Sequence, residues 1–237
     1  MTEISIIIPT HNEEEYLAGA LESIKKQTFK DYEIIVSDSG STDKTVEIAQ
    51  KYGAIVVSGP KKGPGPGRNI GAKIAKGDIL FFMDADTTLE SESILGLIKE
   101  KISSFKYIGG CFRFEGKGKL MYRLLWKAFD LSSFVSSLIQ RPLIPGFDFF
   151  IDKKVFDESG GYDEQIGICE DTDLSLKVSK KGKLIYVKEG KVVNSLRRFE
   201  KKGLWKTLKF YAKGWYYIYL NRKAAAGKLK FEPVDEM

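Results

Sequence analysis

The sequence is poor in the residues on which several common kinds of chemistry depend. Its 237 residues include two cysteines, Cys111 and Cys169, and one histidine, His11. Two cysteines supply neither a disulfide framework nor the spacing of a metal site, so they are interpreted as reduced core residues of a cytosolic protein. A lone histidine without a serine or cysteine partner is not a catalytic triad. Most histidine-based chemistry is therefore excluded.

Long apolar runs are also missing. No uncharged apolar stretch reaches the ~18 residues of a spanning helix, and the first residues predict a strand rather than a secretory leader. Hydrophobic residues nevertheless make up 43% of the chain, enough for a substantial core. The net charge of +6 favours anionic partners, which include phosphorylated substrates, phospholipid and nucleic acid. A cytoplasmic protein is expected.

The sequence does contain an alternation of short strands and helices. Apolar runs at residues 4–8, 34–36, 55–57 and 79–83 are separated by helical or Gly/Pro-rich segments. This alternation predicts an α/β fold with a Rossmann-like, mostly parallel central sheet flanked by helices. Because the carboxyl ends of parallel strands share one edge, the polar residues after these runs should converge on one crevice.

The run at residues 79–83 leads directly into Asp84, Ala85 and Asp86. Residues two apart in extended chain point the same way, so both carboxylates could bind one cation, or one could bind it while the other holds a sugar hydroxyl. Oxygen ligands suit Mg2+ or Mn2+, which in turn clamps a diphosphate. Two solvated aspartates in a turn are the alternative.

Two common phosphate-binding loops are absent. No G-x-G-x-x-G follows the first strand, and the Gly-Pro run at residues 63–67 lacks the Gly-Lys-Ser/Thr ending of a Walker loop. The Gly-Pro run predicts an irregular segment, with a flexible connector as the alternative, before a short helix at residues 68–76.

Five motifs occur in one order along the chain: IIIPTHNEEEYL from residue 6, VSDSGSTDKT from residue 36, GRNIGA from residue 67, DAD from residue 84 and EDTDLSLKV from residue 170. In order and spacing they resemble the family 2 inverting glycosyltransferases, including the polyprenyl-phosphate sugar synthases, over roughly residues 4–190. The resemblance implies the GT-A fold. It also implies sugar transfer from a UDP- or GDP-sugar to a lipid-phosphate or glycan acceptor.

The resemblance implies roles for residues on the donor side. Asp38 would bind the base, Arg68 would lie against base or phosphate, and Asp84 would face the ribose or sugar. Asp86 would ligate a Mn2+ or Mg2+ ion that bridges the diphosphate. The nucleotide-sugar-binding residues are then Pro9, Thr10, Asn12, Glu13, Asp38, Arg68, Asp84, Ala85 and Asp86.

On the acceptor side, the family pattern makes Asp171 the general base. A single displacement needs a carboxylate that takes the acceptor's proton opposite the leaving diphosphate, and attack from that face inverts the configuration. If the acceptor is a phosphate, Asp171 would orient it instead. The other acceptor-side residues are Gly146, Phe147, Glu170, Arg197 and Arg198. Asn194 stands where several family members carry a histidine, and its carbonyl oxygen is a weaker candidate metal ligand.

Two amphipathic segments follow the strand that carries Asp86. The first, at residues 119–139, is expected to pack its apolar face on the sheet, with a membrane surface as the alternative. That face comprises Leu120, Met121, Leu124, Leu125, Ala128, Leu131, Val135, Leu138 and Ile139. The second, at residues 201–223, mixes basic residues with aromatic ones such as Trp215 and Tyr219, which fits a membrane interface and packing on the domain equally well.

These patterns predict a GT-A catalytic domain at residues 1–196 and a basic, aromatic C-terminal helix and tail at residues 197–237. The nucleotide-binding half spans about residues 1–90 and the acceptor half about residues 91–196. The leading hypothesis is a metal-dependent inverting hexosyltransferase, peripheral to the cytoplasmic face of a membrane. The rivals are a sugar-nucleotide nucleotidyltransferase and a non-catalytic, membrane-associated nucleotide-sugar binder. No recognised nucleic-acid motif accompanies the basic residues.

Overall fold

The chain folds around a mixed β-sheet with helices on both faces. The computed structural model describes residues 2–59, 63–139 and 143–220. The strands are β1 (Ile4–Thr10), β2 (Tyr32–Asp38), β3 (Ile55–Ser58), β4 (Ile79–Met83), β5 (Thr87–Leu89), β6 (Gly109–Lys117), β7 (Asp148–Asp152) and β8 (Leu184–Ser195). The helices are α1 (Leu17–Lys25), α2 (Thr45–Lys51), α3 (Pro64–Ile74), α4 (Ile94–Ser103), α5 (Leu120–Leu138), α6 (Lys153–Glu158), α7 (Glu170–Val178), α8 (Arg197–Lys202) and α9 (Leu204–Leu220).

The strands of the described residues lie in the order β3-β2-β1-β4-β7-β6-β8-β5. The first four are mutually parallel, as are β6 and β8, whereas β7 runs antiparallel to β4 and β6, and β5 runs antiparallel to β8. The predicted mostly parallel sheet is therefore confirmed. Parallel register sets Thr10 beside Asp38, so the ends of β1 and β2 share the edge at which β4 ends in Asp84.

The central strands are apolar throughout because both of their faces are covered. Every residue of β4 is buried. Along β1 and β4, Ile6 and Phe81 enter one hydrophobic cluster, while Ile7 and Phe82 enter another on the opposite face. Alternate side chains of a strand point to opposite faces, so two buried faces require a continuous apolar run.

Helix α3 begins inside the Gly-Pro run that was predicted to be irregular. Pro64 is its first residue, a position where the missing N–H is not needed, and Gly63 before it has a φ of +99°. Gly67 of the run lies close to the sheet, since a Cβ on it would lie 3.2 Å from Cβ of Pro9. A Cβ on Gly71, further along the helix, would lie 2.4 Å from Cγ2 of Ile7. The prediction was wrong because small residues serve helix-to-sheet contact here rather than flexibility.

Helix α5 turns a different side to the core from the one predicted. Its buried residues include Tyr122 and Trp126. Phe114 of β6 packs against Trp126 and Phe129 at ring-centroid distances of 6.1 and 5.4 Å. The aromatic side of α5 thus packs in the core, and the prediction that the aliphatic face packs on the sheet was wrong. Its exposed members are Leu120, Met121, Leu124, Leu125, Ala128, Leu131, Val135, Leu138 and Ile139.

Helix α9 packs on the segment that precedes α7. Ile218 joins a cluster with Ile168 and Cys169, and a Cβ on Gly214 would lie 2.5 Å from Sγ of Cys169. The face of α9 that carries Gly214 and Ile218 therefore packs on the domain, which was one of the two predicted alternatives. Trp205 on the same helix is 80% exposed. The side chains of residues 215 and 219 and all residues after 220 lie outside the described part of the chain. Among the helices that are described, none has the length and apolar character to cross a bilayer.

Candidate active site

The residues after β4 form a turn rather than the extended chain predicted. The N–H of Thr87 donates to the carbonyl oxygen of Asp84 at 3.1 Å. The carboxylates of Asp84 and Asp86 consequently contact two different arginines. Oδ1 of Asp84 lies 2.6 Å from Nη2 of Arg68, and Oδ2 of Asp86 lies 2.8 Å from Nε of Arg197. The predicted extended chain was therefore wrong, while the sharing of one cation by both carboxylates stays a prediction, as does its alternative of one carboxylate on the cation and one on a sugar hydroxyl.

Arg68 connects the donor side of the site to helix α7. Its Nη1 lies 2.9 Å from Oε1 of Glu170, and the residue is 2% exposed. Gly146 covers the guanidinium so closely that a Cβ there would lie 2.7 Å from Nη1. Burial acts to lower the pKa of Arg68, but its anionic neighbours, Asp84 foremost, outweigh burial and raise the pKa. Arg68 is thus a permanently charged bridge between the buried carboxylate of Glu170 and the partly exposed carboxylate of Asp84.

Arg197, the first residue of α8, forms a second bridge. Its Nη2 lies 2.5 Å from Oε1 of Glu13, and its Nε contacts Asp86. Its guanidinium also lies over the ring of Tyr16, 4.5 Å from the centroid. We predicted an acceptor-side role for Arg197, yet these contacts lie among the donor-side residues. Arg197 and Glu13 are 184 residues apart in sequence.

Burial sets the charge state of the two carboxyl groups beside Arg197. It raises the pKa of Glu13 to about 7 and the pKa of Asp86 to about 6, although Arg197 acts to lower both. Without the guanidinium, both pKa values would be higher still. Arg197 is therefore the counter-ion that favours ionisation of this pair near neutral pH.

A divalent cation fits this site chemically, with help from a substrate. Mg2+ or Mn2+ commonly uses one or two carboxylates together with substrate phosphate oxygens and water. Within the described ranges, no group of three or more His, Cys, Asp or Glu side chains could hold an ion. Both oxygens of Asp86 already accept hydrogen bonds, because Nδ2 of Asn194 donates to Oδ1 at 3.1 Å and Arg197 holds Oδ2. Asn194 is thus a donor to Asp86 here, whereas the predicted ligand role requires its carbonyl oxygen.

Asp171 is held by two backbone N–H groups. Gly146 donates to Oδ2 at 2.8 Å, and Thr172 donates to Oδ1 at 2.7 Å. Burial raises the pKa of Asp171, while Arg68 and these N–H bonds act to lower it. Burial, and then the charge of Asp171, also raises the pKa of Glu170. A fixed carboxylate with a raised pKa has the properties of a general base.

Asp38 lies behind the cavity wall. Its Oδ2 accepts N–H bonds from Gly40 and Ser41, and its Oδ1 accepts hydroxyl bonds from Thr10 and Ser41. These four bonds hold the loop after β2, and Ser39 of that loop lines the cavity. Binding of a base by Asp38 stays a prediction.

A cavity of about 1290 Å³ joins the groups described above. It exceeds the roughly 300–1,000 Å³ of ordinary small-molecule pockets, so a donor and part of an acceptor can be accommodated together. The structure brings every predicted site residue except Asp38 to its lining. These residues are Pro9, Thr10, Asn12, Glu13, Arg68, Asp84, Ala85, Asp86, Gly146, Phe147, Glu170, Asp171, Asn194, Arg197 and Arg198.

The cavity also has an apolar wall that we did not predict. Helices α5 and α9 supply Leu125, Trp126, Phe129, Leu208, Phe210 and Tyr211. Trp126 stacks on Phe147 with ring centroids 5.7 Å apart. The helical spacing of Tyr122, Trp126 and Phe129 was the available signal for α5. For α9 no local signal distinguishes the residues that face the cavity.

Comparison with known proteins agrees with this geometry. The model of glycosyl transferase family 2 matches residues 5–161. The chain is 32% identical over 145 residues to the GalNAc(5)-diNAcBac-PP-undecaprenol beta-1,3-glucosyltransferase of Campylobacter jejuni, covering 57% of this chain and 46% of that protein. It is 26% identical over 264 residues to the probable glycosyltransferase YdaM of Bacillus subtilis, covering 97% and 59%. The chain thus spans less than two thirds of either relative.

Solved structures show the same fold. TarS 1-349 of S. aureus, in complex with UDP-GlcNAc, superposes with a TM-score of 0.68 at 19% identity, covering 96% of this chain and 76% of that one. The mannosyltransferase PcManGT of Pyrobaculum calidifontis, in complex with GDP-Man and Mn2+, superposes with a TM-score of 0.68 at 16% identity, covering 94% and 71%. The predicted GT-A fold is confirmed. The family match over residues 5–161 and the sheet that carries its motifs show that this chain belongs to glycosyltransferase family 2.

Proposed function

We propose that this chain is an inverting hexosyltransferase that moves a sugar from a UDP- or GDP-sugar to a lipid-phosphate or glycan acceptor. The observation that supports this most is the Asp84–Arg68–Glu170 bridge, with contacts of 2.6 and 2.9 Å. It ties the donor-side turn to the helix that carries Asp171, so that a fixed carboxylate and the donor-side residues line one cavity.

The named relatives support a nucleotide-sugar donor. One solved neighbour holds UDP-GlcNAc and another holds GDP-Man, so uracil and guanine both stay open as the base. The Campylobacter relative is named for a glucosyltransferase reaction on an undecaprenol-linked glycan. The apolar wall from α5 and α9 is consistent with a lipid-linked acceptor. Because both helices line the cavity, we include them in the proposed catalytic unit.

Asp171 would act on the acceptor. Its carboxylate takes the proton of the acceptor hydroxyl as that oxygen bonds to the anomeric carbon and the bond to the diphosphate breaks. The N–H groups of Gly146 and Thr172 keep the carboxylate in place during this step. One displacement from the opposite face inverts the configuration, and a second carboxylate nucleophile is unnecessary. If the acceptor is a phosphate, Asp171 orients an oxygen that is already anionic.

Asp86 would be the protein ligand of Mn2+ or Mg2+. The bound ion supplies positive charge beside the departing diphosphate. We expect Asp86→Asn to weaken binding of UDP or GDP in the presence of Mn2+ by about 100-fold, because the amide removes the anionic ligand. Titration calorimetry measures this change. Asp157→Asn on the surface helix α6 is the control, and an Asp86→Asn protein that binds as well as this control contradicts the assignment.

Product analysis separates the proposal from its two rivals. Incubation with a panel of UDP- and GDP-sugars and polyprenyl phosphate should release nucleoside diphosphate if the chain transfers sugar. A nucleotidyltransferase would instead release pyrophosphate from a nucleoside triphosphate and a sugar phosphate. Binding without either product would indicate the non-catalytic binder.

We also propose that α5 lies on an anionic membrane at the cytoplasmic face, where acidic lipids attract basic segments. Its exposed apolar residues include Leu124, which is 62% exposed, and Leu131, which is 58% exposed. The exposed basic residues Lys119, Arg123 and Lys127 belong to the same segment. Apolar residues flanked by cations are typical of helices that lie in an interface.

Vesicle flotation tests this contact. The protein should float with vesicles of phosphatidylglycerol and phosphatidylcholine and much less with phosphatidylcholine alone. Leu124→Glu/Leu131→Glu should weaken binding by about tenfold or more, because both side chains leave the interface. Ile74→Glu is the control, since Ile74 is also exposed but lies on α3, which packs on the opposite face of the sheet. Equal flotation of the α5 variant and the control contradicts the proposal.

A further inference from the structure

Arg197 occupies the place that a divalent cation would take on Asp86. Its Nε lies 2.8 Å from Oδ2 of Asp86, and its Nη2 lies 2.5 Å from Oε1 of Glu13. The other oxygen of Asp86 accepts a hydrogen bond from Asn194. An ion that approaches Asp86 therefore meets a carboxylate that already has a cationic partner. Two cations on one carboxylate repel each other and require the same oxygen.

We propose that Arg197 is a displaceable counter-ion that makes cation binding at Asp86 depend on the diphosphate of the donor. In the donor-free protein, the guanidinium pairs with Asp86 and Glu13. When the ion and the diphosphate bind together, the guanidinium of Arg197 would leave Asp86, which is then available to the ion, and would pair with the diphosphate. This inference rests on the proposed function, because it requires a nucleoside diphosphate at the site.

The charges around the cavity explain the expected dependence. An ion that enters alone must displace Arg197, which then loses an anionic partner in a site that is largely shielded from water. A diphosphate changes this balance, because it offers oxygens to the ion and negative charge to the guanidinium. Ion and nucleotide should therefore bind with positive coupling, and each should raise the affinity of the other by the same factor.

A comparison with Arg68 indicates which guanidinium can move. Both arginines bridge two carboxylates, but the side chain of Arg68 is 3% exposed and is covered by Gly146. The side chain of Arg197 is 12% exposed, and it rests on the ring face of Tyr16 beside the cavity. Movement of Arg68 would separate α7 from the donor side, whereas Arg197 is the first residue of the short helix α8, and its contacts with Glu13 and Asp86 lie at the cavity that the donor would enter. Arg197 is thus the exchangeable member of the pair.

Binding of Mn2+ without nucleotide tests this inference, with free Mn2+ measured by electron paramagnetic resonance. Arg197→Gln should bind Mn2+ about tenfold more tightly than the wild type or better, because the competing charge is gone. Saturating UDP or GDP should tighten Mn2+ binding by the wild type and have a smaller effect on the variant. Arg113→Gln removes the same charge from an exposed pair with Glu115, outside the cavity lining, and should change Mn2+ affinity by no more than about twofold.

Thermal unfolding distinguishes a specific gain in Mn2+ binding from a folding defect of the variant. Arg197→Gln leaves Asp86 and Glu13 without their guanidinium, so the variant should melt at a lower temperature than the wild type. Added Mn2+ should then raise its Tm more than it raises the Tm of the wild type, since tighter binding stabilises the native state more. Arg197→Lys keeps a positive charge and should bind Mn2+ more like the wild type than Arg197→Gln does.

Two results overturn the inference. One is an Arg197→Gln protein whose Mn2+ affinity and Mn2+-induced rise in Tm do not exceed those of the wild type. The other is an equal gain in Arg113→Gln, which would indicate a general charge effect. If either occurs while wild-type protein still binds nucleotide with Mn2+, the displaceable counter-ion fails and the proposed function stands. If the wild type binds no nucleotide under any of these conditions, both fail.

Discussion

Asp171→Asn is expected to lower kcat by about 10²–10⁴-fold when the acceptor is a hydroxyl, because the reaction loses its general base. An amide matches the shape of the carboxylate but cannot take a proton. Its single carbonyl oxygen can satisfy only one of the N–H groups of Gly146 and Thr172 that now bind the two carboxylate oxygens. Donor binding should change little, since Asp171 contacts neither Asp86 nor Glu13 among the described hydrogen bonds and ion pairs. Steady-state turnover at saturating donor measures the effect.

Asp173→Asn is the matched control for this loss. Asp173 lies on the same helix, where its Oδ2 is 3.2 Å from Nζ of Lys177, and it does not line the cavity. This variant should keep its turnover even if its Tm falls. Equal turnover of Asp171→Asn and the wild type would remove Asp171 from the role of base.

The pH profile gives an independent reading of Asp171. Because burial raises its pKa, turnover should be full above that pKa and decline below it, at a higher pH than for an ordinary aspartate. The part of the acidic decline that reports Asp171 should be missing from the residual activity of Asp171→Asn, whereas a decline that reports Asp86, whose pKa is about 6, should remain. A phosphate acceptor would instead give a small kcat effect, because Asp171 then only orients the nucleophile.

Arg68→Met is expected to destabilise the protein by about 3–5 kcal/mol, because it leaves the buried carboxylate of Glu170 without its counter-ion. The carboxylate of Asp84 is 36% exposed, so water screens its charge and it adds little to this loss. Asp84 and Glu170 lie 2.6 and 2.9 Å from the guanidinium, which is almost completely buried. Urea denaturation at neutral pH measures the loss. The loss should be smaller at lower pH, since burial raises the pKa of Glu170 to about 7 and its carboxyl group can then take up a proton instead of remaining an unpaired anion.

Arg113→Met is the control for the buried bridge. Arg113 pairs with Glu115 at the same 2.9 Å, but the two side chains are 52% and 40% exposed. Water screens such a pair, so its removal should change the free energy of unfolding by no more than about 1 kcal/mol. If both arginine variants lose equal stability, burial is not what makes the Arg68 bridge important.

The sequence was most informative where one strand and the turn after it form a local unit. The apolar runs at β1, β2 and β4 predicted strands, and the parallel arrangement brought the polar residues that follow them to one edge. Pro9, Thr10, Asn12, Glu13 and the turn at residues 84–86 line the cavity for this reason. Asp38 is not in the lining, and the sequence does not show why: its carboxylate accepts four hydrogen bonds from its own loop and from Thr10.

The orientation of α5 shows where periodicity failed. The aliphatic residues of this helix form an apolar face, and so do Tyr122, Trp126 and Phe129. Hydrophobic periodicity cannot choose between two apolar faces on one helix. The aromatic face is the one that packs on the core, because Phe114 and Phe147, which belong to other parts of the chain, provide rings for it to pack against.

The sequence by itself determined the family, the parallel half of the sheet and the identity of the carboxylates at its edge, since these depend on motifs and on neighbours along the chain. Only the tertiary structure decided which charges meet. Glu170 lies 102 residues from Arg68, and Glu13 lies 184 residues from Arg197. The chain contains 38 lysines and arginines and 32 acidic residues, and no local rule selects partners among them. The pairs form because the folded sheet and its flanking helices bring these particular side chains together away from water, where an unpaired charge is unfavourable.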